Sequence, residues 1–171
     1  INAIDDVAPE APDAPADMQV SCVAEVPLAN PLTAIDNCGE EITATATQDI
    51  QVGSCPNNFV ITYTWVFEDA CGNASSTQQT ITVIDDQAPN VPNAPADITV
   101  SCSADLPVAA SLTAEDNCGG TTNGILNETT TEGDCPNNYT VTRTWTFTDA
   151  CGNTSSVSQN ISVIDDEAPI V

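Results

Sequence analysis

Two kinds of side chain in this sequence could do chemistry, carboxylates and cysteines, and both recur at fixed spacing. Asp36 and Asp116 stand in DNCG turns, and Asp69 and Asp149 open DACGN turns that close with Asn73 and Asn153. Acid pairs Asp5–Asp6 and Asp85–Asp86 sit in IDDxAP strings, a third copy of which carries Asp165 and Asp166. Gathered together, such groups would repel strongly unless neutralised. A hard cation that accepts about six to eight oxygen ligands answers that need, and Ca²⁺ suits an irregular oxygen cage better than strictly octahedral Mg²⁺. The expected ligands are Asp5, Asp6, Asp36, Asp69 and Asn73, and again Asp85, Asp86, Asp116, Asp149 and Asn153. The competing account makes these residues turn formers, since Asp and Asn bond readily to nearby backbone amides. Asp165 and Asp166 would need a following unit to complete a site.

Composition excludes much else. There are 25 Asp+Glu against one Lys+Arg and no His, a formal net charge of −24, and the single cation is Arg143. Without His no Ser-His-Asp or Cys-His arrangement exists, nor a mixed Cys/His zinc site. Without Lys there is no Schiff base, P-loop or Lys–Asn crosslink. Nucleic acid is not expected as a partner, because phosphate binding needs clustered Lys and Arg. A paired-carboxylate hydrolase is the one enzyme type the composition permits, but no groove or aromatic sugar platform is evident, and no enzymatic activity is expected. Hydrophobic residues at 41% indicate a folded chain. No apolar run of about 18 residues exists to insert in a membrane.

The elements that position these groups are repeated. Ser21–Gly39 matches Ser101–Gly119, and CPNNF, DACGNASS and IDDVAP recur as CPNNY, DACGNTSS and IDDQAP, each 80 residues on. The expected organisation is the tail of a preceding repeat over 1–6, repeat 1 over 7–86, repeat 2 over 87–166 and the start of a following repeat over 167–171. The chain is therefore read as a piece of a longer array. Within a repeat the apolar period is two. Phe59, Ile61, Tyr63, Trp65 and Phe67 alternate with Thr and Val, and Tyr139, Val141, Trp145 and Phe147 alternate with Thr. This is a long strand with an aromatic face turned inward. Arg143 replaces Tyr63 on that face, so its end is expected near solvent. Glu10, Glu25, Glu40, Glu41, Glu115, Glu128 and Glu132 are expected as solvated surface. Short strands between Gly/Pro/Asn/Asp turns give an all-β chain of two tandem immunoglobulin-like β-sandwich domains, end to end and disulfide-stapled.

Each repeat has four Cys, and zinc would need close pairs that are absent, so disulfides in an oxidising compartment are expected. Strand direction selects the pairing. Cys55 and Cys71 flank one long strand whose extended length is about 50 Å, against the ~6 Å that a disulfide allows between Cα atoms. Alternating directions then give Cys22–Cys55 and Cys38–Cys71, repeated as Cys102–Cys135 and Cys118–Cys151. One more strand between Gly39 and Cys55 would reverse that parity.

VSC…TAxDNCG…CPNNYTVTRTWTFTDACGNTSS…ITVIDDxAP resembles the hyalin-repeat-like (HYR-like), immunoglobulin-fold tandem repeats of very large Bacteroidetes surface proteins. Those proteins include gliding-motility adhesins exported by type IX secretion. The resemblance implies an extracellular, cell-surface array, with calcium at its junctions by analogy with other adhesin arrays. Fold analogy alone does not establish function. The expected function is a structural segment of an adhesin or filament, a semi-rigid stalk stiffened by calcium at inter-domain junctions. Its partners would be neighbouring repeats of the same chain, and a surface or polysaccharide target reached through other parts of the parent. The alternative is a polysaccharide-binding module of a secreted protein.

Overall fold

In a computed structural model of the chain, residues 5–134 and 137–165 are described. They divide into two compact units, Ile1–Asp85 and Asp86–Val171. Both are all-β and built alike. Among the described residues no helix is long and apolar enough to cross a membrane.

The first unit contains β1 (Met18–Val20), β2 (Leu32–Ile35), β3 (Glu41–Ala44), β4 (Thr47–Val52), β5 (Asn58–Glu68) and β6 (Ala74–Ile84). A 3-10 turn follows β1 at Val23–Glu25. Four strands form a sheet in the order β1-β6-β5-β4, and β2 and β3 form a separate antiparallel pair. Ala34 and Ala44 from the pair close over Ile61, Tyr63, Trp65, Phe67 and Ile81 from the sheet, which is the sandwich core. Trp65, Phe67 and Ile81 are fully buried, so the two-residue period marked the inward face. The indole of each repeat is buried without losing its hydrogen bond, as burial of a polar N–H requires. Trp65 Nε1 donates to Asn30 O at 3.0 Å, and Trp145 Nε1 to Ala110 O at 3.0 Å.

The second unit repeats the order with β7 (Ile98–Val100), β8 (Thr113–Glu115), β9 (Thr121–Asn123), β10 (Ile125–Glu132), β11 (Tyr139–Thr148) and β12 (Thr154–Val163). Its sheet runs β10-β11-β12-β7. β1 and β7 are short and lie parallel to β6 and β12. Side chains help to hold each in place. Asp17 Oδ1 accepts Thr80 N at 2.6 Å, and Asp97 Oδ1 accepts Asn160 N at 2.7 Å. The buried amides of Gln79 and Gln159 donate to Ala16 O and Ala96 O.

Two segments depart from expectation. The stretch between Gly39 and Cys55 holds two strands, β3 and β4, instead of one. They are not paired with each other and are separated only by Thr45 and Ala46, so the chain changes sheets rather than turning back. β1 is parallel to β6, while β4 and β6 are both antiparallel to β5. β1 and β4 therefore run the same way, and the parity survives the extra strand.

Arg143 is the second departure. It is 6% exposed, not near solvent as expected. Its Nε donates to Glu128 Oε1 at 2.6 Å and its Nη2 to Pro107 O at 2.7 Å. Glu128, expected as solvated surface, is exposed and is also the cross-strand neighbour of Arg143. The same positions in repeat 1 hold Gln48 opposite Tyr63. A guanidinium is tolerated under the sandwich because it keeps a carboxylate and a carbonyl as acceptors. Arg143→Met should therefore cost about 1.5–3 kcal/mol, the usual loss for hydrogen bonds to a charged group. Glu128→Gln with Arg143→Tyr, which installs the first repeat's pair, should recover most of it in denaturant titrations. Equal losses for the single and the double replacement would refute this account.

Candidate functional site

The acidic turns divide into two chemically different classes. Asp69 spends its carboxylate on its own loop. Oδ1 accepts Cys71 N and Asn73 N, each at 2.8 Å, and Oδ2 accepts Asn73 Nδ2 at 2.7 Å. The backbone closes the same turn through Asp69 N to Asn73 O and Gly72 N to Asp69 O. Gly72 has φ +89°, a conformation that L side chains rarely adopt. Asp149 repeats the pattern with Cys151 N, Asn153 N and Asn153 Nδ2. The Asn73 side chain, followed by backbone amides, holds the Asp69 carboxyl below its ordinary value. For Asp149 burial pushes upward, but the Asn153 side chain and the turn amides outweigh it, and the net shift is downward. These two aspartates and their asparagines thus serve as turn formers.

Asp36 is different. It is 5% exposed. Its Oδ2 accepts Cys38 N at 3.1 Å, but its buried Oδ1 has no hydrogen-bond partner. Asp116 Oδ2 accepts Cys118 N at 3.0 Å, and its Oδ1 is likewise buried without a partner. Unpaired buried acceptors are rare, and an oxygen so placed is available to a water or an ion. In the first unit the chain segment entering the domain supplies a second carboxylate. One ligand atom each from Asp5, Asp36 and Cys38 lie within 4.8 Å of one another. Asp5 is held between the two turns, its carbonyl accepting Asn73 Nδ2 at 3.2 Å and its Oδ2 accepting the Cys38 thiol at 3.5 Å. Of the expected ligands in this unit, the fold brings Asp5 and Asp36 into one site with Asn73 beside them. Asp6 is exposed, and Asp69 is turned to its own loop. Asp85 is buried, and Asp86 is exposed. Asp166 lies outside the described residues.

The cysteines sort unevenly. Cys22 and Cys55 are disulfide-bonded, and so are Cys118 and Cys151. With Cys38 and Cys71 free, Cys22 and Cys55 can bond only to each other within their unit. The expected Cys38–Cys71 bridge is not formed: both are exposed free thiols, and Cys38 is directed at the Asp5 carboxylate instead. That hydrogen bond, first, and the Asp5 charge push the Cys38 thiol upward. Cys102 is also an exposed free thiol, and Cys135, its expected partner, lies outside the described residues. Sequence reasoning did not place Cys38 at the acidic cluster. The signal was present, because Cys38 sits two residues after Asp36, on the turn whose amide caps that aspartate.

A pH prediction follows from the two closed turns. Asp69 and Asp149 are depressed below the ordinary 3.8. They therefore add stability that is fully present above that value and is lost as pH falls below it, through their lower folded values. Thermal melts in chelator should show this acid-side loss, and Asp69→Asn with Asp149→Asn should flatten it while lowering stability at neutral pH. An unchanged acid limb in the double variant would contradict the role of these turns.

One solved structure, "Crystal Structure of Protocadherin Gamma C5 EC1-3", aligns over 92% of this chain and 68% of that chain, at 10% identity and a TM-score of 0.29. A likeness that slight carries no argument. A search among curated proteins returned no match. Residues 10–83 and 90–163 each match the family described as "HYR-like domain with 4 cysteines". With two such copies accounting for most of its length, the chain belongs to the HYR-like domains with four cysteines.

Proposed function

We propose that this chain is a structural repeat segment of a large extracellular adhesin or filament, and that calcium at the inter-repeat junctions stiffens it. The carrying observation is Asp5 beside Asp36, with the buried Asp36 Oδ1 unpartnered. Asp5 lies in the string that recurs at Asp85 after 80 residues. By that period Asp5 belongs to the end of a preceding repeat, so the site is a junction site. A hard cation would take the Asp5 and Asp36 oxygens, and the soft Cys38 sulfur is a poor ligand for it. The repeat extends the same expectation to Asp85 and Asp116. Disulfide-bonded cysteines support an oxidising, extracellular setting. The resemblance to Bacteroidetes surface proteins supports a cell-surface, gliding-adhesin context.

The mechanism is linkage: an ion that binds only the ordered junction stabilises it as RT ln(1 + [L]/Kd). The stalk role is non-enzymatic, and any surface or polysaccharide target would be met by other parts of the parent. Buried aromatics support this over sugar binding, since the large exposed apolar side chains are aliphatic. Small-angle scattering of the chelator-treated chain tests it. Added calcium should lengthen the chain and narrow its length distribution, and Asp36→Asn with Asp116→Asn should abolish the change. Identical profiles with and without calcium would leave a flexible spacer.

A further inference from the structure

Among the described residues β10 is the outer strand of its sheet, with β11 as its one paired neighbour. All eight of its residues are exposed. An outer strand presents a row of unpaired N–H and C=O groups, and natural proteins usually blunt it with Lys, Pro or a bulge. ILNETTTE has no Lys and no Pro, and its pairing with β11 runs without a break from Ile125 to Glu132.

The charge of this edge is unusual for the chain. In a molecule of net charge −24, the only Lys or Arg is Arg143, and it neutralises the mid-strand carboxylate Glu128 at 2.6 Å. Ile125–Thr131 is thus electrically neutral, and Glu132 at the strand's end is its one uncompensated carboxylate. The equivalent strand of the first unit, β4, is shorter and carries Asp49 with no cation behind it.

We propose that β10 pairs antiparallel with β10 of a second copy of this chain, joining arrays side by side. The faces and charges select the register. Leu126, Glu128 and Thr130 stand opposite Trp145, Arg143 and Val141, so they share the inner face, while Ile125, Asn127, Thr129 and Thr131 share the outer one. A continuous two-fold sheet pairs inner with inner and outer with outer. Two symmetric registers overlap seven of the eight residues. One sets Glu128 against Glu128 across the axis; Arg143 offsets each charge but leaves two carboxylates directly opposed, the less favourable arrangement. The other sets Thr129 against Thr129, Glu128 against Thr130 and Leu126 against Glu132, with no carboxylates opposed. The second register is the one assigned. General repulsion between the anionic chains makes the pairing favoured by salt, which screens charges beyond about 10 Å at 0.1 M.

The test is sedimentation equilibrium of the whole chain in calcium-free, salt-containing buffer, with exposed thiols alkylated so that chance disulfides are excluded. Wild type should form dimers that strengthen with salt. Thr129→Glu and Thr129→Lys should each weaken them about fivefold, because either charge meets its own kind on the axis. An equimolar mixture of the two variants should restore association by pairing Glu with Lys. Circular dichroism checks that both variants fold. A chain that stays monomeric at millimolar concentration in high salt would overturn the proposal. So would dimers indifferent to both substitutions, or a mixture no tighter than either variant alone.

Discussion

A chain with 25 carboxylates and one Lys or Arg must find positive partners for its buried acids without side-chain cations. Most of this fold follows from how it does so. Asp69 and Asp149 are neutralised by backbone N–H groups and one asparagine amide each, and doing so shapes the turn after the long aromatic strand. Asp17 and Asp97 use the same device to fasten a short parallel strand to the sheet. Backbone amides are fixed in number and direction, so this compensation specifies geometry as well as energy. Where they run out, at Asp36 with Asp5 beside it, a carboxylate oxygen is left buried and unpaired. Function is assigned to that remainder.

The two repeats show how one scaffold tolerates different solutions at one place. Tyr63 opposite Gln48 and Arg143 opposite Glu128 occupy the same cross-strand position. One fills the edge of the core with a ring. The other fills it with a guanidinium whose stem packs and whose head keeps two acceptors. The exchange is possible because both partners changed together. Arginine opposite Gln48 would lose its carboxylate, and tyrosine opposite Glu128 would leave that carboxylate without its cation.

The fold class was legible because its signals are local and doubled. The two-residue period of Phe59–Phe67 marks an inward face, and the 80-residue repeat marks each turn twice. The strands β4 and β10 were not legible, because TQDIQV and ILNETTTE are exposed on both faces and so carry no alternation. The burial of Arg143 was missed for a related reason. A charged residue on an inward phase signals solvent unless its partner is known, and Glu128 lies on a strand that hydropathy does not reveal. At the site, sequence grouped the acidic turns as one ligand set but could not divide them. Asp36 and Asp69 are both turn aspartates. Only the hydrogen bonds show that Asp69 is saturated and Asp36 is not.

The central claim is that the Asp5–Asp36 remainder is a cation site. Calorimetric titration of calcium into the chelator-treated chain tests it most directly, with Asp36→Asn as the comparison. The account predicts saturable binding of about one ion per complete junction, and loss of one site in the variant with its melting otherwise preserved. No saturable heat at millimolar calcium, or an isotherm unchanged by Asp36→Asn, would contradict it.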